Sequence, residues 1–192
     1  MAFFAIPAGA RVGLNLPNLI TLARILSVPV VVWAIAAHEM LLAFALFAAA
    51  GISDAVDGYL AKRFGMTSEL GALLDPLADK VLIVSIYVTL GIVGAIPRWL
   101  VILVVSRDLM IVGAIMLSWI MDRPVLIRPL LVSKLNTVAQ IVLAGLVLGA
   151  LGLSFDPGWL TPATMAVVAT LTLLSVAAYL RDWVRHMGSA EA

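Results

Sequence analysis

The chain has no cysteine among its 192 residues. Disulfides, thiolate metal sites and cysteine nucleophiles are therefore excluded. Histidine is almost as scarce: only His38 and His186 occur, and the topology derived below puts them on opposite sides of a membrane. A Ser–His hydrolase cannot be assembled from that pair. Charge is the third scarcity. Charged residues make up 12% of the chain, against about a quarter in an ordinary soluble domain. A net charge of +1 leaves no basic footprint, so nucleic acid is not an expected partner. Hydrophobic residues fill the space, at 64% and a mean hydropathy of +1.15. That balance is the signature of an integral membrane protein, and the length fits one domain, residues 1–192. The opening MAFFAIPAGARVGLNLPN lacks the charged start of a signal peptide and the Arg- and Ser-rich character of an organelle leader. A bacterial inner membrane is the expected home.

A bilayer-crossing helix needs roughly 20 mainly apolar residues. The sequence offers six such runs: Leu16–Ala37, Leu41–Lys62, Ser68–Gly94, Pro97–Met121, Val132–Leu153 and Pro162–Val184. They are too continuous for the alternating strands of a lipid-facing barrel. The expectation is an all-α, polytopic membrane protein with six transmembrane helices. Arg11, Lys62, Arg63, Arg123, Arg128, Lys134, Arg181 and Arg185 fall on one side of such a bundle, and Arg98 alone on the other. Basic residues mark the cytoplasmic side, so both termini are expected to be cytoplasmic.

Acid is rare but concentrated. In SDAVDGYLAKRFGMTSELGALLDPLADK, Asp54 and Asp57 lie three residues apart, and Asp75 and Asp79 four apart. At those spacings each pair shares a helix face. The short link around Gly65 makes the two helices antiparallel neighbours, with the acids near the cytoplasmic surface. Four ionised carboxylates so close repel one another, and burying them unpaired is costly. Oxygen coordination of hard divalent cations removes the conflict, and Mg²⁺ completes its shell with phosphate oxygens. Two such ions would clamp a diphosphate. Gly58 and Gly71 leave space for a bulky ligand, although Gly58 equally suits close helix packing; Ala61 lies one turn beyond Asp57, and Lys62 and Arg63 supply cations for phosphate. Pro76 removes a helix hydrogen bond within the third run. Other readings of the acids are ion pairs with Lys80 and Arg107, or a cation or proton pathway.

The pattern Asp54-x2-Asp57-Gly58-x2-Ala61 followed by Gly71-x3-Asp75-x3-Asp79 resembles the motif of the CDP-alcohol phosphatidyltransferases. Where that family has Arg directly after the Ala, this chain has Lys62 and then Arg63. NLPNLITLARI, LDPLADK, SRDLMI and SKLNTVAQ resemble the CMP-forming cardiolipin synthase branch, and phosphatidylglycerophosphate synthases share the first two. The resemblance implies transfer of a phosphatidyl group from CDP-diacylglycerol to an alcohol, with CMP released. Phosphatidylglycerol would be the acceptor in the cardiolipin branch and glycerol 3-phosphate in the sister branch. It implies two divalent cations, Mg²⁺ or Mn²⁺, on Asp54, Asp57, Asp75 and Asp79, with Asp79 also the catalytic base. Asp54, Gly58, Ala61, Lys62 and Gly71 would line the CDP-diacylglycerol site, and the family implies a homodimer. The phospholipase-D-like route to cardiolipin, which needs paired histidines and lysines, is excluded by the histidine count.

Acceptor recognition is less legible. Ser133, Asn136, Thr137 and Gln140 form one polar stripe on an apolar span, and a stripe of this kind faces the bundle interior. It has two readings, an acceptor pocket or helix–helix glue. Arg107, Lys134 and Asn136 are the candidate acceptor-binding residues, although Arg107 equally suits an ion pair with an Asp. Arg24, with Asn18 and Thr21 nearby, is a cation without an assigned role. A cation or proton transporter is the competing function class, to be separated by a metal-dependent CMP-release assay.

Overall fold

The computed structural model describes residues 16–64, 69–120 and 131–188, not every side chain within them. All regular structure among these residues is helical. The helices are α1 (Leu16–Ala36), α2 (Met40–Phe64), α3 (Glu69–Ile92), α4 (Arg98–Ile120), α5 (Leu131–Leu153) and α6 (Leu160–Gly188). The expected runs and observed helices correspond one to one. The widest departure is at α6, which begins at Leu160 and ends at Gly188 rather than at Pro162 and Val184. α3 continues through Pro76, so that proline does not end the helix. Among the described residues, α5 and the Leu160–Arg181 part of α6 are long and apolar enough to cross a membrane.

Three turns join the helices into hairpins, and all three close in the same way. His38, Gly94 and Ser154 adopt left-handed φ values of 61°, 79° and 54°. One residue later the N–H reaches back to a carbonyl in the last helical turn: Glu39 to Ala34 (2.8 Å), Ala95 to Leu90 (2.8 Å) and Phe155 to Ala150 (3.1 Å). This six-to-one bond defines the Schellman C-cap and satisfies carbonyls that the helix leaves open. The last turn then leads into α6 through Asp156, whose Oδ1 accepts from the Gly158 N–H at 2.8 Å.

Packing follows residue size. α1 packs against both α2 and α3, α2 against α5, α4 against α3 and α6, and α5 against α3 and α6. The link around Gly65 and the side chains of α2 and α3 beside it, where the two helices are expected to be neighbours, lie outside the described residues. At α2–α5 the close approach depends on glycine. A Cβ on Gly152 would lie 2.8 Å from the Leu41 Cα and 2.9 Å from the Met40 carbonyl oxygen. Phe44 covers Gly149 and Phe47 covers Gly145 in the same interface. The apolar core joins Val31 and Ile35 of α1, Ile86 and Leu90 of α3, Leu100 of α4, Leu148 of α5 and Val168 of α6. These positions lie toward the three turns. The outward faces are also apolar: Leu26, Trp33, Ile102, Leu109, Leu135 and Leu173 are all exposed. A surface of this kind suits lipid rather than water.

Candidate active site

Away from the turns, the interior becomes polar. Thr21 and Arg24 of α1, Arg107 and Asp108 of α4, Asn136 and Gln140 of α5, and Thr172 and Ser175 of α6 are all buried. Such groups are tolerated inside only when they find partners. They fall into two clusters.

The first cluster borders the acidic motif. The Arg24 side chain is 2% exposed, and its Nη1 lies 2.9 Å from Asp54 Oδ1. Asp54 itself is 49% exposed. The cation is thus fixed inside the bundle while the carboxylate it holds stays open. A cavity of about 500 Å³ lies there between α1, α2, α3 and α5. Arg24, Asp54, Lys80, Thr137 and Gln140 give it polar walls, and Phe47, Ile52, Leu82, Ile83 and Ile141 give it apolar ones. On α2 and α3 the apolar lining residues lie toward the turns, and Asp54 and Lys80 lie away from them. Gly51 also lines the cavity, and a Cβ there would meet nothing within 4 Å. A space polar at one end and apolar at the other matches an amphiphile, with its head group among the charges.

The second cluster ties four helices together. Asp108 Oδ1 accepts from Lys80 Nζ of α3 at 2.7 Å and from the neighbouring Arg107 Nη1. Arg107, 1% exposed, donates through Nη2 to Ser133 Oγ of α5. It also reaches Ser175 Oγ of α6 from Nε at 3.3 Å and from Nη2 at 3.1 Å. One turn further along, Thr172 donates to Asn136 Oδ1 at 3.0 Å. Removing this guanidinium would leave Ser133 and Ser175 without their partner and Asp108 with Lys80 alone. Lys80 belongs to both clusters, since it also lines the cavity.

Asp54 and Asp57 lie on α2, and Asp75 and Asp79 on α3. Gly58, Ala61 and Lys62 are also on α2, and Gly71 on α3. Apart from Asp54, the side chains and surroundings of these residues lie outside the described residues. No cluster of three metal-ligating side chains occurs among the described residues. The three acceptor candidates are not brought together. Arg107 and Asn136 are buried in the second cluster, and Lys134 is exposed near the start of α5. None of the three is among the residues lining the cavity, where Thr137 and Gln140 represent the polar stripe instead.

Sequence reasoning missed Asp108, although an Arg–Asp pair within an apolar run is a visible signal. Arg24, a cation to which the sequence assigns no role, has Asp54 as a partner. Thr172 and Ser175 carried a weaker signal, two small polar residues three apart on an apolar helix.

The sequence model of the CDP-alcohol phosphatidyltransferases matches residues 14–180, which include both clusters and all four motif aspartates. The chain belongs to this family. It is 36% identical, over 91% of its length and 59% of the relative's, to a chloroplastic CDP-diacylglycerol–glycerol-3-phosphate 3-phosphatidyltransferase of Oryza sativa. With the CMP-forming cardiolipin synthase and mitochondrial hydrolase fusion protein of Schizosaccharomyces pombe it shares 31% identity, over 92% of this chain and 33% of that one. It is 37% identical to a probable phosphatidylglycerophosphate synthase of Mycobacterium tuberculosis, over 84% of this chain and 77% of that one. The chain thus spans 59% and 33% of the rice and fission-yeast proteins. Relatives from both acceptor branches are similar to it.

Proposed function

We propose that the chain transfers a phosphatidyl group from CDP-diacylglycerol to an alcohol, with CMP released, and that phosphatidylglycerol is the acceptor, giving cardiolipin. The observation that carries this reading is Asp54, held by buried Arg24 yet open to a cavity polar at one end and apolar at the other. A lipid-linked diphosphate has that polarity. Six helices crossing the bacterial inner membrane, both termini cytoplasmic, would set the charged end of the cavity toward the cytoplasm. Nucleotide would then enter and leave through water while the acyl chains stay in lipid. A homodimer is the expected assembly.

The donor chemistry fits divalent metal. Asp54 presents a hard carboxylate that is half exposed and lines the cavity, and three further aspartates follow on α2 and α3. Asp54, Asp57, Asp75 and Asp79 would hold two Mg²⁺ or Mn²⁺ ions, which when bound neutralise diphosphate charge. Asp79 would take the proton from the attacking hydroxyl. A bond then forms from that oxygen to the phosphorus bearing diacylglycerol, and the bond to CMP breaks. Gly58, Ala61, Lys62 and Gly71 would line the nucleotide site, with the Lys62 ammonium against phosphate oxygens. Transfer of this kind depends chiefly on positioning and on stabilising charge.

A second reading, phosphatidylglycerophosphate synthase using glycerol 3-phosphate, is favoured by the rice and mycobacterial relatives. Purified protein supplied with CDP-diacylglycerol, Mg²⁺ and each acceptor in turn decides between them. Cardiolipin and CMP formed with phosphatidylglycerol support the first reading, and CMP formed only with glycerol 3-phosphate establishes the second. Loss of CMP release on chelation, restored by Mg²⁺ or Mn²⁺, tests the metal assignment.

A further inference from the structure

The polar stripe of α5 divides in two. Ser133 and Asn136 bond to Arg107 and Thr172 and hold helices together. Among the described residues the Gln140 side chain bonds to nothing. It is fully buried, and neither Oε1 nor Nε2 has a hydrogen-bond partner among the described residues. Yet it lines the cavity that Asp54, Arg24 and Lys80 also line. Its backbone is fixed from the far side, where the buried Tyr87 hydroxyl of α3 donates to the Gln140 carbonyl at 3.1 Å. A buried amide with an open donor and an open acceptor is costly to leave unmet. The neighbouring Asn136 offers only an incomplete remedy. Asn136 Nδ2, one turn away, also lacks a partner among the described residues. Were it to turn toward Gln140 Oε1, that oxygen would keep a second lone pair and Nε2 both its hydrogens.

A phosphate or ester oxygen could answer only the donor. A hydroxyl answers both atoms, because it donates and accepts at once. We infer that Gln140 is a specificity residue that hydrogen-bonds a second, non-reacting hydroxyl of the acceptor. This rests on the transferase reading above and names the acceptor class within it: a vicinal diol such as a glycerol head group. Either acceptor branch supplies that group, the middle hydroxyl of glycerol, so the inference does not depend on which branch is right.

The test uses full-length protein in detergent with acceptors that differ by that one hydroxyl. Phosphatidylglycerol is paired with phosphatidyl-1,3-propanediol, and glycerol 3-phosphate with 3-hydroxypropyl phosphate. Wild-type protein should prefer the diol member of the active pair by at least about tenfold in kcat/KM, because a site built around a hydroxyl rejects the analogue lacking it. In Gln140→Met the preference should fall below about twofold. A purely structural role would instead lower activity toward both acceptors alike. If Gln140→Met is not monodisperse, Gln140→Glu keeps the shape and should still alter the ratio. An absent preference in wild type, or one that survives both substitutions, overturns the inference while leaving the transferase reading intact. No CMP from any hydroxyl acceptor overturns the transferase reading and this inference with it.

Discussion

The two ends of the helical bundle obey different rules. At the turn end, three left-handed C-caps close the hairpins, glycine lets α5 touch the α2 backbone, and the core is aliphatic. At the other end, buried Arg24 and Arg107 are held by Asp54, Asp108, Ser133 and Ser175, and a cavity opens between α1, α2, α3 and α5. The turn end gains its order from close packing, which tolerates no open space. The polar end gives up packing for a cavity and keeps its shape through ion pairs and hydrogen bonds. Chemistry needs that second kind of interior, and the first kind gives it a rigid base. Substitutions at the polar end should therefore act on turnover or through uncompensated charge, and those at the turn end on stability alone.

The largest effect should come from Asp79→Asn. If Asp79 takes the proton from the acceptor, turnover should fall by about 10²–10⁴-fold, with CDP-diacylglycerol binding and thermal stability retained. Normal CMP release from that variant would remove the base from the mechanism. Next is Arg107→Met at the second cluster. Breaking one partner out of a buried ionic network costs about 3–5 kcal/mol, so Tm should drop by on the order of 10 °C. Ser175→Ala, which removes only hydroxyl contacts, should cost about 1 kcal/mol. Equal melting shifts for the two would show that the guanidinium is not what holds α4 to α6.

The two ends were also unequally legible in the sequence. All six helices could be read because apolar length and loop residues at His38, Gly94 and Asp156–Gly158 are local signals. The four aspartates stood out because carboxylates are rare in so apolar a chain. The pairing of those groups did not follow from spacing. Arg24 lies 30 residues from Asp54, and Arg107 lies 68 from Ser175; helix packing alone decides which of them meet. The stripe on α5 could be seen, but its division into a bonded part and a cavity part depends on where α4 and α6 pack.

At the turn end, Gly152→Ala should cost about 2–3 kcal/mol, because the new methyl meets the backbone of Leu41 and Met40 and the helices must separate. Gly145→Ala is the control in the same interface. Its Cβ would find only the Phe47 ring edge at 3.4 Å, and Ala is the better helix former by about 1 kcal/mol, so Tm should hold or rise. CMP release at permissive temperature should match wild type in both. Loss of activity in a folded Gly145→Ala would mean that the turn end reaches the cavity chemistry after all, through Phe47.

The smallest effect is expected at the caps, where two residues in similar geometry differ in chemistry. Gly94 has φ 79° and nothing within 4 Å of a new Cβ, so Gly94→Ala tests backbone conformation alone. It should cost about 1 kcal/mol, since left-handed backbone is strained for any residue with a Cβ. His38 holds the same position after α1 with φ 61° and is exposed. His38→Gly should run the other way, relieving that strain in the folded state. Glycine also loosens the unfolded chain, so the gain should be only about 0.5 kcal/mol, or a Tm rise of about 1–2 °C. Opposite signs for the pair would show that the hairpins are closed by backbone geometry. A fall in Tm for His38→Gly would instead show that the imidazole contributes at its turn, and the α1–α2 hairpin would then owe its closure to a side chain as the polar end does.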